Sequence, residues 1–201
     1  MNHFLRFAAY LFHPLLMPLF GVLIYFTITP RFIEPDILKA KVIAIIIITL
    51  MIPIVSFFLL KNLNLIQSIH LTNVKERKFP LMIQVLLYLL VIKMIFTPYE
   101  NPELYYFFVG ILISTIAALI LVMLNFKVSL HQLGLAGVTM FLIALSIHFK
   151  VNLLIGIGAF FFFNGWIASS RLHTQSHNYI ELIIGFFLGV LPQIIVLNFW
   201  L

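Results

Sequence analysis

The sequence predicts an all-α fold, a single-domain polytopic membrane bundle of about six to seven transmembrane helices. Three observations predict it. Of 201 residues, 63% are hydrophobic and 9% are charged, where a soluble domain carries about 25% charged residues. Mean hydropathy is +1.16. Apolar runs close to the ~20 residues that cross a hydrocarbon core recur along the chain, with no polar stretch between them large enough for a soluble domain. The chain has no cysteine, which excludes disulfides, a thiolate nucleophile and cysteine metal sites.

The first run, 8–29, is followed by no small-residue cleavage site and reads as a retained span, kinked by His13-Pro14 and Pro18. The second covers 40–60. The third, 81–97, is short, and Lys93 must snorkel toward the interface. The fourth is 104–125. Runs 131–149 and 151–170 meet only around Lys150, which requires a tight helical hairpin. The last run is 179–200. Counting crossings places segments 61–80, 126–131 and 171–178 on one side of the membrane.

Each of those segments carries a polar cluster. Lys75, Arg77 and Lys78 stand just before the third span, as a phosphate grip or a basic surface anchor. Lys127, Ser129 and His131 precede Gly134, Ala136 and Gly137, small residues that allow close helix approach. Ser129 can donate to a phosphate oxygen, and His131 can protonate a leaving oxygen. Ser68-Ile69-His70 has the same Ser-x-His spacing on the same side and stays an alternative.

The third cluster is the most specific. Ser170 and Arg171 are followed by His177 and then Glu181. On a helix, residues four apart share a face, so Glu181 can bond one nitrogen of His177 and leave the other as a nucleophile. Arg171 can hold a phosphate with its two-pronged guanidinium. His173 is a possible substitute for His177 in the same loop, and an Arg–Glu pair capping a helix is the purely structural alternative.

In these three clusters the chain resembles the type 2 phosphatidic acid phosphatase superfamily, relatives of the vanadium haloperoxidases. The family motifs are Lys-x6-Arg-Pro, Pro-Ser-Gly-His and Ser-Arg-x5-His-x3-Asp. Here the third reads Ser170, Arg171, His177 and Glu181, with Glu for Asp, followed by Gly185 and Gly189. The second keeps Ser129 and His131 but has Val128 and Leu130 for Pro and Gly. In the first, aligning Pro80 puts Phe79 and Thr72 at the cation positions, leaving Lys75, Arg77 and Lys78 out of register. The resemblance covers roughly 70–195. It implies hydrolysis of a lipid phosphate or pyrophosphate through a phosphohistidine, without metal or other cofactor. His177 is then the nucleophile, Glu181 its orienting carboxylate, and His131 the acid and base. Arg171, Ser129, Lys75, Arg77 and Lys78 bind phosphate.

The implied partners are a membrane lipid phosphate and the bilayer, with no nucleic acid. Rival readings are a lipid phosphotransferase and a non-catalytic phosphatase-like protein. A prenyltransferase would want clustered aspartates, and the only Asp is Asp36, on the opposite side. Cation counts favour a cytoplasmic motif side by seven to five, but reverse to three against five once Lys75, Arg77, Lys78 and Arg171 are set aside. The expectation is a bacterial inner-membrane protein with an outward-facing site.

Overall fold

A backbone in hydrocarbon must satisfy its own N–H and C=O groups, so the apolar runs have to become helices. The computed structural model describes residues 2–67 and 73–201, and those residues contain no strand. The helices are α1 (Asn2–Leu11), α2 (Met17–Ile28), α3 (Pro35–Ile46), α4 (Ile52–Asn62), α5 (Lys78–Met94), α6 (Pro102–Met123), α7 (Leu130–His148), α8 (Leu154–His173) and α9 (Tyr179–Leu197). Among the described residues, four helices are long and apolar enough to cross a membrane: the continuous stretch Pro35–Asn62, α6, α7 and α9. Counting the bent pair α1–α2 as one span gives five. The outer faces are apolar too: Val55 on α4, Ile120 on α6 and Ile195 on α9 are all exposed.

Two interruptions have local causes. His13 precedes Pro14, which bars it from helical backbone, and it takes φ −63° and ψ 137°. The chain bends 40° there, and Pro14–Leu16 forms one 3₁₀ turn. Between α3 and α4, Ile47–Met51 widen into a π turn, and the Ile52 N–H reaches back to the Ile47 carbonyl. Pro53, which has no N–H to give, follows directly.

Four helices end alike. Asn64, Asn125, Lys150 and Gln175 take positive φ after α4, α6, α7 and α8. At each, the next residue's N–H bonds back five positions, as Val151 does to Ser146 and Ser176 to Arg171. This is the Schellman closure, here without glycine. It makes the tight hairpin expected at Lys150, and at Gln175 it turns the chain so that His177 enters the molecule.

Helix α7 is the centre of the bundle, with 61% of its apolar window buried against 22–39% in the other three spans. Glycines let α9 lie directly on it. A Cβ at Gly189 would stand 2.2 Å from the Leu133 carbonyl oxygen, and one at Gly185 would stand 2.7 Å from that of Ser129. Both are backbone atoms, so any side chain there pushes the helices apart. Helix α8 is held to α7 by a buried amide network. Gln132 Nε2 donates to Asn164 Oδ1, and Asn164 Nδ2 donates to Thr139 Oγ1, each at 2.8 Å.

Candidate functional site

The close α7–α9 contact brings the start of each helix to the same end of the bundle. There the Ser129 N–H donates to the Glu181 carbonyl at 3.2 Å. Two cations tie the remaining segments in. Arg77 Nη1 donates to the Val128 carbonyl at 2.9 Å, and Lys127 Nζ donates to the Ser176 carbonyl at 2.7 Å. The segments around 77, 127–131 and 171–181, far apart in sequence, are thereby fastened together.

His177 and Glu181 meet, but not as neighbours on a helix face. Helix α9 starts at Tyr179, with Asn178 as its N-cap and Glu181 three residues further on. His177 precedes the cap. Asn178 Oδ1 accepts the Glu181 N–H at 2.9 Å, and Asn178 Nδ2 donates to Glu181 Oε1 at 3.4 Å. The other carboxylate oxygen, Oε2, lies 2.6 Å from His177 Nδ1. This is a variant of the capping box, in which the acid at the third helical position reaches back to the imidazole as well as to the cap. The side chains of His177 and Glu181 are only 4% and 15% exposed, so this is not a solvated surface pair. Sequence reasoning passed over Asn178; its signal was the Asn-x-x-Glu spacing before an apolar run.

Burial lowers the His177 pKa to about 3, with Arg77, Lys127 and Arg171 adding to the effect. The neutral ring donates Nδ1–H to the Glu181 carboxylate and leaves the Nε2 lone pair available. Burial also lowers the pKa of Arg77, against the attraction of Glu181. The Lys127 pKa falls through burial first, then through the neighbouring Arg77.

Arg171 is half-buried, with Nε buried and without a hydrogen-bond partner. Glu181 is bonded to His177 and Asn178, so the Arg–Glu capping pair does not form. Arg171 lines a cavity of about 950 Å³ together with Arg6, Arg77, Lys127, His13, His131 and His177. No carboxylate lines it among the described residues. Its remaining wall is largely apolar, including Phe57, Leu81, Phe107 and Val138. A smaller niche of about 340 Å³ adjoins it, with Lys127, His177, Asn178 and Glu181 in its lining. Among the described residues, no group of three His or acidic side chains is arranged to hold a metal.

The other expected site residues divide. His131 lines the cavity, and its Nε2 lies 3.2 Å from the Ala9 carbonyl, so that nitrogen carries the proton and Nδ1 is free. Arg77 is buried at the cavity, but Lys75 and Lys78 are exposed and outside its lining. In the 3₁₀ turn Val74–Arg77 side chains three apart share a face, so Lys75 and Lys78 both stay outside while Arg77 faces inward. Lys127, from the second cluster, lies at the cavity where Lys75 and Lys78 were expected. Ser129 is also displaced from its expected role. It is fully buried, lies outside the cavity lining, and caps α7 by accepting the Gln132 N–H at 3.4 Å. His173 is exposed and outside the lining as well. The alternative Ser68-Ile69-His70, like Thr72, lies outside the described residues.

Comparisons with family models, with curated proteins and with solved structures find no match.

Proposed function

We propose that this protein is a membrane phosphatase that hydrolyses a lipid phosphate or lipid pyrophosphate through a phosphohistidine on His177, without a metal. The observation that carries the reading is the His177–Glu181 pair at 2.6 Å together with Arg171, whose buried Nε has no hydrogen-bond partner, at a cavity cationic at one part and apolar elsewhere. A nucleophile, its orienting carboxylate and a preset anion site are the parts that phosphoryl transfer needs. The apolar wall suits a lipid chain and the cations suit its headgroup.

In the first step His177 Nε2 attacks phosphorus and the bond to the lipid oxygen breaks. Before this step His131 takes up a proton from solvent on Nδ1, the nitrogen left free in the resting site, and the lipid oxygen takes that proton as it leaves, while Nε2–H stays on the Ala9 carbonyl. Glu181 stabilises the positive charge that develops on His177. Arg171, Arg77 and Lys127 stabilise the charge on the equatorial oxygens. In the second step water attacks phosphorus, the P–N bond breaks, and His131 Nδ1 takes the water proton. Phosphate leaves and both histidines return to their starting states.

The same reading places α5 and α8 across the bilayer as well, seven spans in all. It puts the protein in a bacterial inner membrane with the site facing outward.

The test is phosphate release by the purified protein from a panel of lipid phosphates and pyrophosphates, with EDTA present. Release, together with acid-labile phosphate on His177, is expected. Strict dependence on an added divalent metal, or no release and no labelling with any substrate, overturns the reading.

A further inference from the structure

A third histidine faces the same cavity. His13 stands at the break of the first helix, exposed and lining the cavity with His131, and the two rings meet edge to face with centroids 5.5 Å apart. Their hydrogen bonds assign both tautomers. His13 Nδ1 accepts the Leu15 N–H at 3.3 Å, so Nδ1 carries no proton and the neutral ring carries it on Nε2. The Ala9 carbonyl can only accept, so His131 carries its proton on Nε2. His131 therefore offers the cavity a free acceptor, Nδ1, and is suited to proton transfer. His13 holds its proton on Nε2, where no acceptor among the described residues takes it.

We propose that His13 is a phosphate-binding residue of this site, donating from Nε2 to a non-bridging oxygen and staying neutral throughout the reaction. The proposal rests on the phosphatase reading above. Protonating Nδ1 would set its new N–H against the Leu15 N–H, which disfavours the charged ring. His13 thus adds a donor without adding charge, next to a proton-transfer histidine that must change its own charge. Its place comes from the Pro14 break: an unbroken helix through residue 13 would have given its backbone regular helical bonds and left Leu15 N–H no need of a cap. The structural alternative is that His13 only caps the 3₁₀ turn.

Two substitutions separate these roles, because Asn places an oxygen near the position of Nδ1 and Gln places an amide NH₂ near that of Nε2. His13→Asn keeps the cap and loses the donor. His13→Gln keeps the donor and loses the cap. In the full-length protein in detergent, inorganic phosphate binding is measured by calorimetry and folding by the thermal midpoint. His13→Asn is expected to melt like wild type and to bind phosphate about tenfold or more weakly, as loss of a hydrogen bond to a charged group does. His13→Gln is expected to melt lower yet bind phosphate within about threefold of wild type. Phosphate binding unchanged in His13→Asn overturns the proposal.

A wild-type readout stands beside the variants should either fail to fold. In ¹⁵N-histidine-labelled protein, the His13 Nε2 resonance should move on adding phosphate while Nδ1 stays unprotonated. No movement at saturating phosphate also overturns it. If wild type binds phosphate, shows these effects and hydrolyses nothing, His13 stands as an anion ligand and the phosphatase reading falls. If wild type does not bind phosphate, both fall.

Discussion

At one end of the bundle Glu103 is fully buried, and every charge around it has an answer. Arg31 forks onto both carboxylate oxygens at 2.7 and 3.1 Å, the Tyr25 hydroxyl donates at 3.2 Å, and His148 Nε2 lies at 3.2 Å. Lys41 nearby bonds Glu100 and Asn101. At the other end Arg171, Arg77 and Lys127 line one cavity with no carboxylate in its described lining, and Glu181 in the adjoining niche is already bonded to His177. Both ends bring together residues remote in sequence. One cluster is closed and ties the start of α6 to the ends of α2 and α7. The other is open, with excess positive charge and a buried nitrogen awaiting an acceptor. A closed cluster is what holding a fold requires, whereas an open one stores binding capacity for something that arrives from outside.

The contrast breaks most visibly at His177. His177→Ala should abolish turnover, because the change removes the nucleophile, while the protein still folds with a thermal midpoint lowered only by the lost hydrogen bond to Glu181. Residual turnover near wild type would assign the open end no chemistry. Next comes Arg171→Ala, expected to lower kcat/KM by roughly 10²-fold, the scale for one preorganised charge contact in a transition state. Lys75→Ala and Lys78→Ala should leave kcat/KM unchanged, since both side chains are exposed and away from the cavity. A KM that rises in either of those two would restore the original assignment of the cluster.

At the closed end the effects should exchange places. Glu103→Ala strips the partner from Arg31, His148 and Tyr25 together, and a broken buried pair costs about 3 kcal/mol or more. Stability should fall by that order while turnover per folded molecule is kept. Denaturation in detergent and a specific-activity assay on the folded fraction check it. Loss of turnover without loss of stability would show that the two ends are coupled.

A further expected effect is in pH. The unfolded imidazole titrates near 6.5, while His177 in the fold titrates lower, at about 3. Between those values the unfolded state binds a proton that the native state does not, so stability rises with pH and is lost as pH falls from 6.5 toward 3. The thermal midpoint of wild type should therefore drop between pH 6 and pH 4 more steeply than that of His177→Gln. Equal slopes would mean that His177 is protonated in the fold and paired with Glu181 as an ion pair.

Much of this was legible in one dimension. Each of the seven apolar runs contains helix in the structure, because hydrocarbon leaves the backbone no other regular choice. The kink at His13-Pro14 and the turn at Lys150 followed from proline chemistry and from the lack of room between two spans. Crossing parity grouped the three polar segments on one side, and the cavity draws residues from each of them. The contact between His177 and Glu181 was also expected, but for a different reason: spacing suggested a shared helix face, and the fold supplies an N-cap.

Direction is what a string of residues does not encode. Lys75, Arg77 and Lys78 are chemically alike and adjacent, and only the 3₁₀ turn before α5 decides that Arg77 points inward. Ser129 looks like a phosphate donor until α7 begins directly after it and takes its hydroxyl as a cap. His13 carries no catalytic spacing at all, and it reaches the cavity only because a broken helix packs beside the start of α7. Composition and breakers determined the helices and their order through local physics. Which polar side chains share a cavity was decided by glycine-mediated contact between α7 and α9, a nonlocal packing event in which residues far apart in the chain settle each other's orientation.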